Sequence, residues 1–512
     1  MAKNISVRVR MYRQGLGDCF LLTFMKKGTK NFNMMIDCGI FLGTKFGSTI
    51  MKAVADDIKI ETNSRLNVVA LTHEHYDHIS GFKLAKDIFQ DPDFVFDEVW
   101  VAWTENQSDP KFKEVRERFE KKKRGLRAAL NQMNSSTPLR GTINSLVNEF
   151  FGEGEEDADS PVGLSGSEEP ELSMTNADTW KYVLEKSVAQ PPRYCSPAQS
   201  FILAGFDGVR IYVLGPPEDF ELLNDEESPE EESYRKNLRM AIADSFLAAA
   251  TDVDDPDFDT NTYLPFDDKY PVGYDMVKED VSPNFFRDTY GFDELDDNSW
   301  RRIDDEWLGM AGELALNIDG ITNNTCLAIA IELVESRKVL IFPGDAQFGN
   351  WISWQKLKWE RIDDAGNTVE INVNDLLKRT VFYKVGHHGS HNATLKKSGL
   401  EKMESPELVA MIPTNQEFAK TKNKDKGGWR MPEKELMDTL ELKAKGRVIL
   451  ADEAGPDGNE KMHIVERCNK LRLSAPDTDK FLRNVHFGGS FVRNPEKSNN
   501  SEPLYVEFII EG

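Results

Sequence analysis

Basic charge is in short supply in this chain. Against 87 aspartates and glutamates stand 63 lysines and arginines, a formal net charge of −24. A polyanion of this kind is repelled by phosphate backbones unless a local basic groove overrides the global field. The overall charge therefore weakens a nucleic-acid reading without excluding it. Cysteine is sparse too: Cys19, Cys38, Cys195, Cys326 and Cys468 are scattered with no CxxC pair. That pattern speaks against a disulfide framework and a thiolate metal site, and suits reduced thiols in a cytoplasmic compartment. No apolar run approaches the roughly 18 residues that a membrane-spanning helix needs, so no membrane partner is expected. The opening stretch, MAKNISVRVRMYRQ, lacks the apolar core of a signal peptide. Histidine is scarce as well, with eight in the chain and none between Ile79 and Gly344.

What is present is organised. The stretch ISVRVRMYRQGLGDCFLLTFMKKGTKNFNMMIDCGI reads as three strands separated by turns, and LNVVALT as a short buried strand. Helical spacing in ISGFKLAKDIF and a further strand, FDEVWVAW, complete an α/β alternation. A basic amphipathic helix is expected over 108–133, an acidic Gly/Ser/Pro-rich loop over 152–172, and a long acidic helical and loop region over 218–319. Strands return in GVRIYVLGPP, TCLAIAIEL, KVLIFPGDA, TVFYKVGHHGSH, ELVAMIPT, GRVILADEAG and LYVEFII, with a helix in PEKELMDTLELK. The economical reading is one α/β domain with two inserts. Its first half spans 1–105, followed by an insertion over 106–194 carrying the basic helix and acidic loop. A return strand over 195–217 precedes the acidic insertion at 218–319. The second half spans 320–455, and 456–512 forms a tail with a final strand.

The rare histidines are concentrated where chemistry is possible. Three of them fall within six residues in THEHYDH, directly after a buried strand. His73 and His75 are two apart, so continued strand geometry points both the same way and lets them grip one ion. Asp77 and His78 follow as the chain turns and can reach a second ion. Imidazole with carboxylate suits Zn²⁺, Mn²⁺ or Fe, and a carboxylate is the usual bridge between paired metals. Glu74 then points away. Asp345, in LIFPGDA, follows an apolar strand and a Pro-Gly turn and can serve as that bridge. YKVGHHGSH brings His387, His388 and His391 to another strand end. One of them is expected as a ligand, while the others bind the scissile group, act as general acid or orient the ligand. Asp37, in MMIDCGI, is expected to hold the histidine loop from behind. The cysteines, His463 and His486 are given no role.

These motifs together resemble those of the metallo-β-lactamase fold: THEHYDH, PGD and GHHGS in this order, with IDCG before them. Within that superfamily the chain is similar to the ComEC-type branch, named for a DNA-uptake nuclease domain, through QGLGDCFLL, VRIYVLGPP, NNTCLAIAIE, HHGS and the ending MPEKELMDTLELKAKGRVILADEAG. The resemblance covers roughly residues 5–105, 195–217 and 320–455. It implies an αββα sandwich with two large acidic insertions and a dinuclear centre. Many superfamily members supply a further histidine in the interval that has none here; the ComEC-type branch also tends to lack it. The first site is thereby one protein ligand short, to be filled by water, substrate, Asn323 or Asn324.

The expected activity is hydrolysis by a metal-activated hydroxide. His73, His75 and Asp345 would hold one ion, and Asp77, His78, Asp345 and His388 or His387 the other; Asp77 thus counts in both the metal-binding and the catalytic set. Ser390, His391 or Lys384 would contact a phosphate or protonate the leaving oxygen. The resemblance implies phosphodiester cleavage, most plausibly of DNA or RNA, with the basic stretches 111–127 and 420–426 as tracks for a backbone. A small phosphodiester, such as a cyclic nucleotide or a choline phosphodiester, fits the acidic charge as well. In a third reading the acidic insertions dock a regulatory protein and the chain is a partner-controlled effector or scaffold.

Overall fold

The structure, a computed structural model, describes residues 5–132, 174–224, 318–362, 366–422, 428–453, 459–492 and 501–512. The expected acidic loop over 152–172, nearly all of the acidic region 218–319 and the lysine-rich stretch beyond Lys422 lie outside the described residues. The chain divides into two compact units. One comprises Met1–Lys113, Asn148–Asn237 and Gly320–Gly512; the other comprises Glu114–Val147 and Leu238–Asp319.

In the first unit, alternation along each strand sorts side chains between two environments. In β1 (Ile5–Tyr12), Val7, Val9 and Met11 enter the core between the sheets. Its opposite face carries Arg8, Arg10 and Tyr12 towards α1 (Gly47–Glu61), where Arg10 pairs with Asp57 and Glu61 and Tyr12 donates to Asp57 at 2.7 Å. The same sorting runs through β2 (Cys19–Lys26), β3 (Phe32–Cys38), β4 (Arg65–Ala70), β5 (Val95–Ala102) and the short β6 (Arg193–Cys195).

A second series comprises β7 (Ser200–Leu203), β8 (Phe206–Gly215), β9 (Ala328–Leu333) and β10 (Lys338–Phe342). The hairpin β11 (Lys358–Ile362) and β12 (Thr368–Asn372) stands apart as a two-stranded sheet. Then come β13 (Thr380–Lys384), β14 (Val409–Ile412), β15 (Val448–Leu450), β16 (Val485–Gly488) and β17 (Tyr505–Glu511).

The eight-stranded sheet has the order β16-β17-β1-β2-β3-β4-β5-β6, and the seven-stranded sheet β15-β14-β13-β10-β9-β8-β7. Each is antiparallel on one side and parallel on the other: β3 to β6 run parallel, as do β10, β13, β14 and β15. The inner faces meet in one apolar core, with Val9, Phe20, Met34 and Val68 opposite Ile329, Leu340, Phe382 and Met411. The outer face of the larger sheet is covered by α1 and α2 (Tyr76–Leu84) through Ile50, Val54, Ile58, Ile79 and Phe82. That of the smaller sheet is covered by Trp351, Trp354, Leu376, Leu436 and Leu440. The result is the expected αββα layering.

Two expected boundaries meet the sandwich differently. Helix Asn176–Lys186 buries Trp180 and Val183 against the outer face of the larger sheet, and β6 extends that sheet beside β5, so the end of the stretch assigned to the first insertion is built into the core. In the expected tail, β17 pairs along the whole of β1 and β16 pairs with β17.

The parallel strands determine where a site can form. The C-terminal ends of β3 and β4 from one sheet and of β10, β13 and β14 from the other converge, tied by Leu327 N–H donating to Thr72 O at 2.9 Å. Gly39 is required at this junction: a Cβ there would overlap the carbonyl group of Asp77, so only glycine lets the chain after β3 lie against the start of α2.

Of the second unit, the structure describes residues 114–132 and 318–319. The expected basic helix is present over Pro110–Gln132. Within it Arg116 pairs with Glu120 at 3.4 Å, one turn on, and Lys123 lies 4.7 Å above the ring of Phe119. Among the described residues, no helix is long and apolar enough to cross a membrane.

Candidate metal centre

β4 ends at Ala70, and the histidine motif is not strand. His73 and His75 lie in the connecting loop, with His75 at the N-cap of α2, while Asp77 and His78 occupy the helix's first turn. The two loop histidines still meet, with His73 Nε2 2.9 Å from His75 Nδ1.

Asp77, His78, Asp345 and His388 form one group whose potential ligand atoms all lie within 4.8 Å of one another. His78 Nε2 is 3.2 Å from Asp345 Oδ2, and His388 Nε2 is 2.9 Å from Asp77 Oδ2. This is the set expected for the second ion, with His388 in place rather than His387. His387 Nε2 stands 4.0 Å from Asp345, and its backbone N–H donates to Asp345 Oδ1 at 3.0 Å. A second group, Asp18, Asp37 and His78, meets the same spacing.

Both inward-facing rings are fixed from behind. Asp37 Oδ2 takes His78 Nδ1 at 2.8 Å and Thr72 Oγ1 at 2.7 Å, while Asp37 Oδ1 accepts Thr72 N–H at 2.8 Å. Asp37 does this from a left-handed backbone, φ 56°, which aspartate tolerates better than most residues. His388 Nδ1 lies 2.7 Å from the Pro413 carbonyl, which can only accept, so that nitrogen carries the proton and Nε2 faces the carboxylates. His387 and His388 also sit at positive φ, 46° and 54°. Such outliers concentrate at sites whose surroundings over-determine them.

Asp18 is the functional candidate that sequence reasoning missed. Its carboxylate pairs with the Lys384 ammonium and lies 3.6 Å from His388 Nδ1. Its backbone N–H donates to Asp77 O at 3.0 Å. The available signal was an acid directly after Gly-Leu-Gly at the start of a buried strand. Cys326, given no role from sequence, accepts the Asp345 N–H on its sulfur at 3.3 Å.

Other expected residues are placed differently. Lys384, expected to meet a phosphate, is 2% exposed, and its ammonium reaches Asp18, Asp345 at 3.3 Å and the Gly344 carbonyl at 3.0 Å. Its three donors are thus committed to the protein, and the geometry suits holding Asp345 rather than touching substrate. Ser390 donates to Asn392 Oδ1 at 2.6 Å, and His391 is half-buried nearby. Asn324 Oδ1 accepts the Asn350 N–H at 3.2 Å, and Asn323 is fully buried beside it. His463 and His486 lie elsewhere, on the helix Met462–Lys470 and on β16.

The electrostatics test whether a cation fits. Asp18, Asp37, Asp77 and Asp345 are all buried, and among the described residues Lys384 is the one lysine or arginine paired with them. Burial penalises each charge, and an excess of buried carboxylate demands compensation. Without a metal the histidines supply it. Burial alone would depress His78, but Asp345, Asp77, Asp37 and Asp18 raise it well above the ordinary value. His388 is raised against burial by Asp77, Asp345 and Asp18. Burial pushes His75 down to about 3, and depresses His73 as well, so these two present neutral nitrogens. Burial would raise Asp345, yet His78, Lys384 and His387 hold it well below the carboxylate range. Ionised carboxylates facing pinned imidazoles are a donor set suited to a divalent cation.

Fold and site together define a class: an αββα domain with a buried His/Asp cluster able to hold metal. Residues 12–164 match the model of the metallo-beta-lactamase superfamily, whose members are mostly hydrolytic enzymes and usually bind divalent metals. The matched stretch contains Asp18, Asp37, His73, His75, Asp77 and His78, and Asp345 and His388 are brought to them by the fold. No curated protein matches the chain.

Proposed function

We propose that the protein is a metal-dependent phosphodiesterase, a nuclease acting on DNA or RNA, in the ComEC-type branch of the superfamily. The observation that carries the hydrolase reading is the convergence of Asp77, His78, Asp345 and His388 within 4.8 Å, in a buried site with more carboxylates than fixed cations. These four would hold one divalent ion, Zn²⁺ or Mn²⁺, and His73 and His75 would hold a second that shares Asp345. Such ions supply Lewis acidity towards a phosphoryl oxygen and lower the pKa of water.

The chain's own residues do the positioning. Asp37 and the Pro413 carbonyl keep the protons of His78 and His388 on Nδ1, so both Nε2 atoms face the centre. Lys384 and the Cys326 thiol orient Asp345. His387, with its side chain 19% exposed, and the half-buried His391 are the candidates to meet a substrate oxygen.

Support for nucleic acid as substrate comes from an aromatic group on the segments that follow the same strand ends, Phe418 within the helix Gln416–Thr421. Phe41 follows β3, and Phe418 and Trp429 follow β14; Phe418 and Trp429 pack edge-on to Phe41 with centroids 5.8 and 5.6 Å away. Lys422 lies 4.8 Å over Phe41 and 5.1 Å over Phe418. Rings with an adjacent cation suit a base and its phosphate.

The test is a Zn²⁺-, Mn²⁺- or Mg²⁺-supplemented assay on plasmid, single-stranded DNA, RNA and bis-nitrophenyl phosphate, with Asp345→Asn as control. Cleavage of the small ester alone counts against nucleic acid and for a small phosphodiester. Metal binding with no cleavage of any of the four counts against phosphodiester hydrolysis.

A further inference from the structure

A second concavity lies at the other end of the strands. It holds about 690 Å³ and opens where β2 ends, β8 begins, β9 turns into β10 and β11 ends. Lys26 on β2 is eight residues from Asp18, so the concavity stands roughly 25 Å along the strand from the His/Asp cluster.

Its lining inverts the charge of the chain. Lys26, Arg210, Arg337 and Arg361 line it against two acids, Asp207 and Glu335. Among the described residues, Lys26, Arg210 and Arg337 form no ion pair. Arg361 reaches one carboxylate, Glu332, at 3.8 Å. Glu332 is itself fully buried and committed elsewhere, accepting from Arg379 at 2.7 Å and from Tyr212 at 2.8 Å. The Nε–H groups of Arg210 and Arg361 are shut off from water and meet no acceptor among the described residues. A guanidinium's planar fork binds an oxyanion at two points, so these arginines suit an anionic ligand.

We propose that this concavity is a binding site for a polyphosphate-bearing small molecule of nucleotide size. The cations come from four separate elements around it: β2, β8, the β9–β10 turn and β11. Two or more linked phosphates can span them, and the volume leaves room for an attached nucleoside. The site is independent of the reaction proposed for the His/Asp cluster.

The test is titration calorimetry of the full chain in EDTA, which keeps divalent cations off the cluster, with inorganic phosphate, pyrophosphate and ATP as probes. One pyrophosphate or ATP is expected to bind per chain, at least tenfold more tightly than phosphate. Arg210→Gln with Arg361→Gln is expected to weaken that binding tenfold or more. Glu335→Lys, at an exposed position that leaves the fold alone, is expected to strengthen it several-fold, and His388→Ala is expected to leave it unchanged. The proposal is overturned if no probe saturates, if pyrophosphate binds no better than phosphate, or if the double arginine variant binds as the parent does. An unchanged affinity in Glu335→Lys, or loss of binding in His388→Ala, overturns it equally.

Discussion

Replacing Asp37 with asparagine changes one oxygen to an NH₂ group, and the structure says which way the consequences run. Oδ1 still accepts the Thr72 N–H, a bond of 2.8 Å. The atom that replaces Oδ2 now donates, and it faces Thr72 Oγ1 at 2.7 Å and His78 Nδ1 at 2.8 Å. The hydroxyl can turn to accept. His78 Nδ1 can accept only by giving up its proton, which moves to Nε2, the atom that points at Asp345. The ring is then in the wrong tautomer to ligate. Changes behind a metal-bound histidine cost about 10–100-fold in affinity, equivalent to about 1.4–2.8 kcal/mol. Asp37→Ala removes all three acceptor contacts, and buried donors left unmet cost roughly 1–3 kcal/mol each, so it should also unfold earlier in urea. The assay is Zn²⁺ binding in competition with a chromophoric chelator, read beside urea denaturation. Asp37→Asn should lose affinity with little loss of stability. Parental Zn²⁺ affinity in a folded Asp37→Asn would refute the reasoning that His78 is held by its back-side carboxylate.

His388→Ala should lower divalent-cation affinity at least tenfold and His387→Ala less than about threefold, measured by the same competition, because only His388 joins the compact group. Gly39→Ala should destabilise by about 3 kcal/mol or more in urea denaturation, since its methyl group would meet the backbone of Asp77. Glu407 gives the pH dependence away from the site: burial would raise its carboxyl, but Lys480 and Lys338, each 3.0 Å away, hold it lowered. A lowered carboxyl contributes stability above its unfolded value and loses it as pH falls through the folded value. The stability gap between the parent and Glu407→Gln should therefore be present at pH 7, about 1 kcal/mol or less for so exposed a pair, and vanish on acidification below the folded-state pKa.

Much of this architecture was legible because its signals are local. The period-two patterns of β1, β8, β9 and β17 and the apolar runs of β10, β13 and β14 mark strands within a few residues. Asp77, His78, Asp345 and the histidine pair stand out because rare, chemically capable residues follow those runs. The short strands β6, β7, β11, β12 and β16 were not legible, being three to five residues long with no sustained alternation. The helix Asn176–Lys186 was lost in its acidic surroundings, where charge hides the Trp180 and Val183 face that binds it to the sandwich.

The roles of Asp18 and Lys384 were hidden for a different reason. Alone, an aspartate after Gly-Leu-Gly is a turn residue, and a lysine at a strand end is a solvated charge able to reach a substrate. Neither reading survives their contact across 366 residues, because an ammonium buried between Asp18 and Asp345 has no water to return to. The same contact explains the choice between His387 and His388. With Asp345 held by Lys384 and by the His387 backbone N–H, the His387 ring is left beside the carboxylate, 4.0 Å away. The next residue, also at positive φ, turns its ring to the Pro413 carbonyl and Asp77. Sequence spacing treats the two histidines alike; the charge buried around them does not.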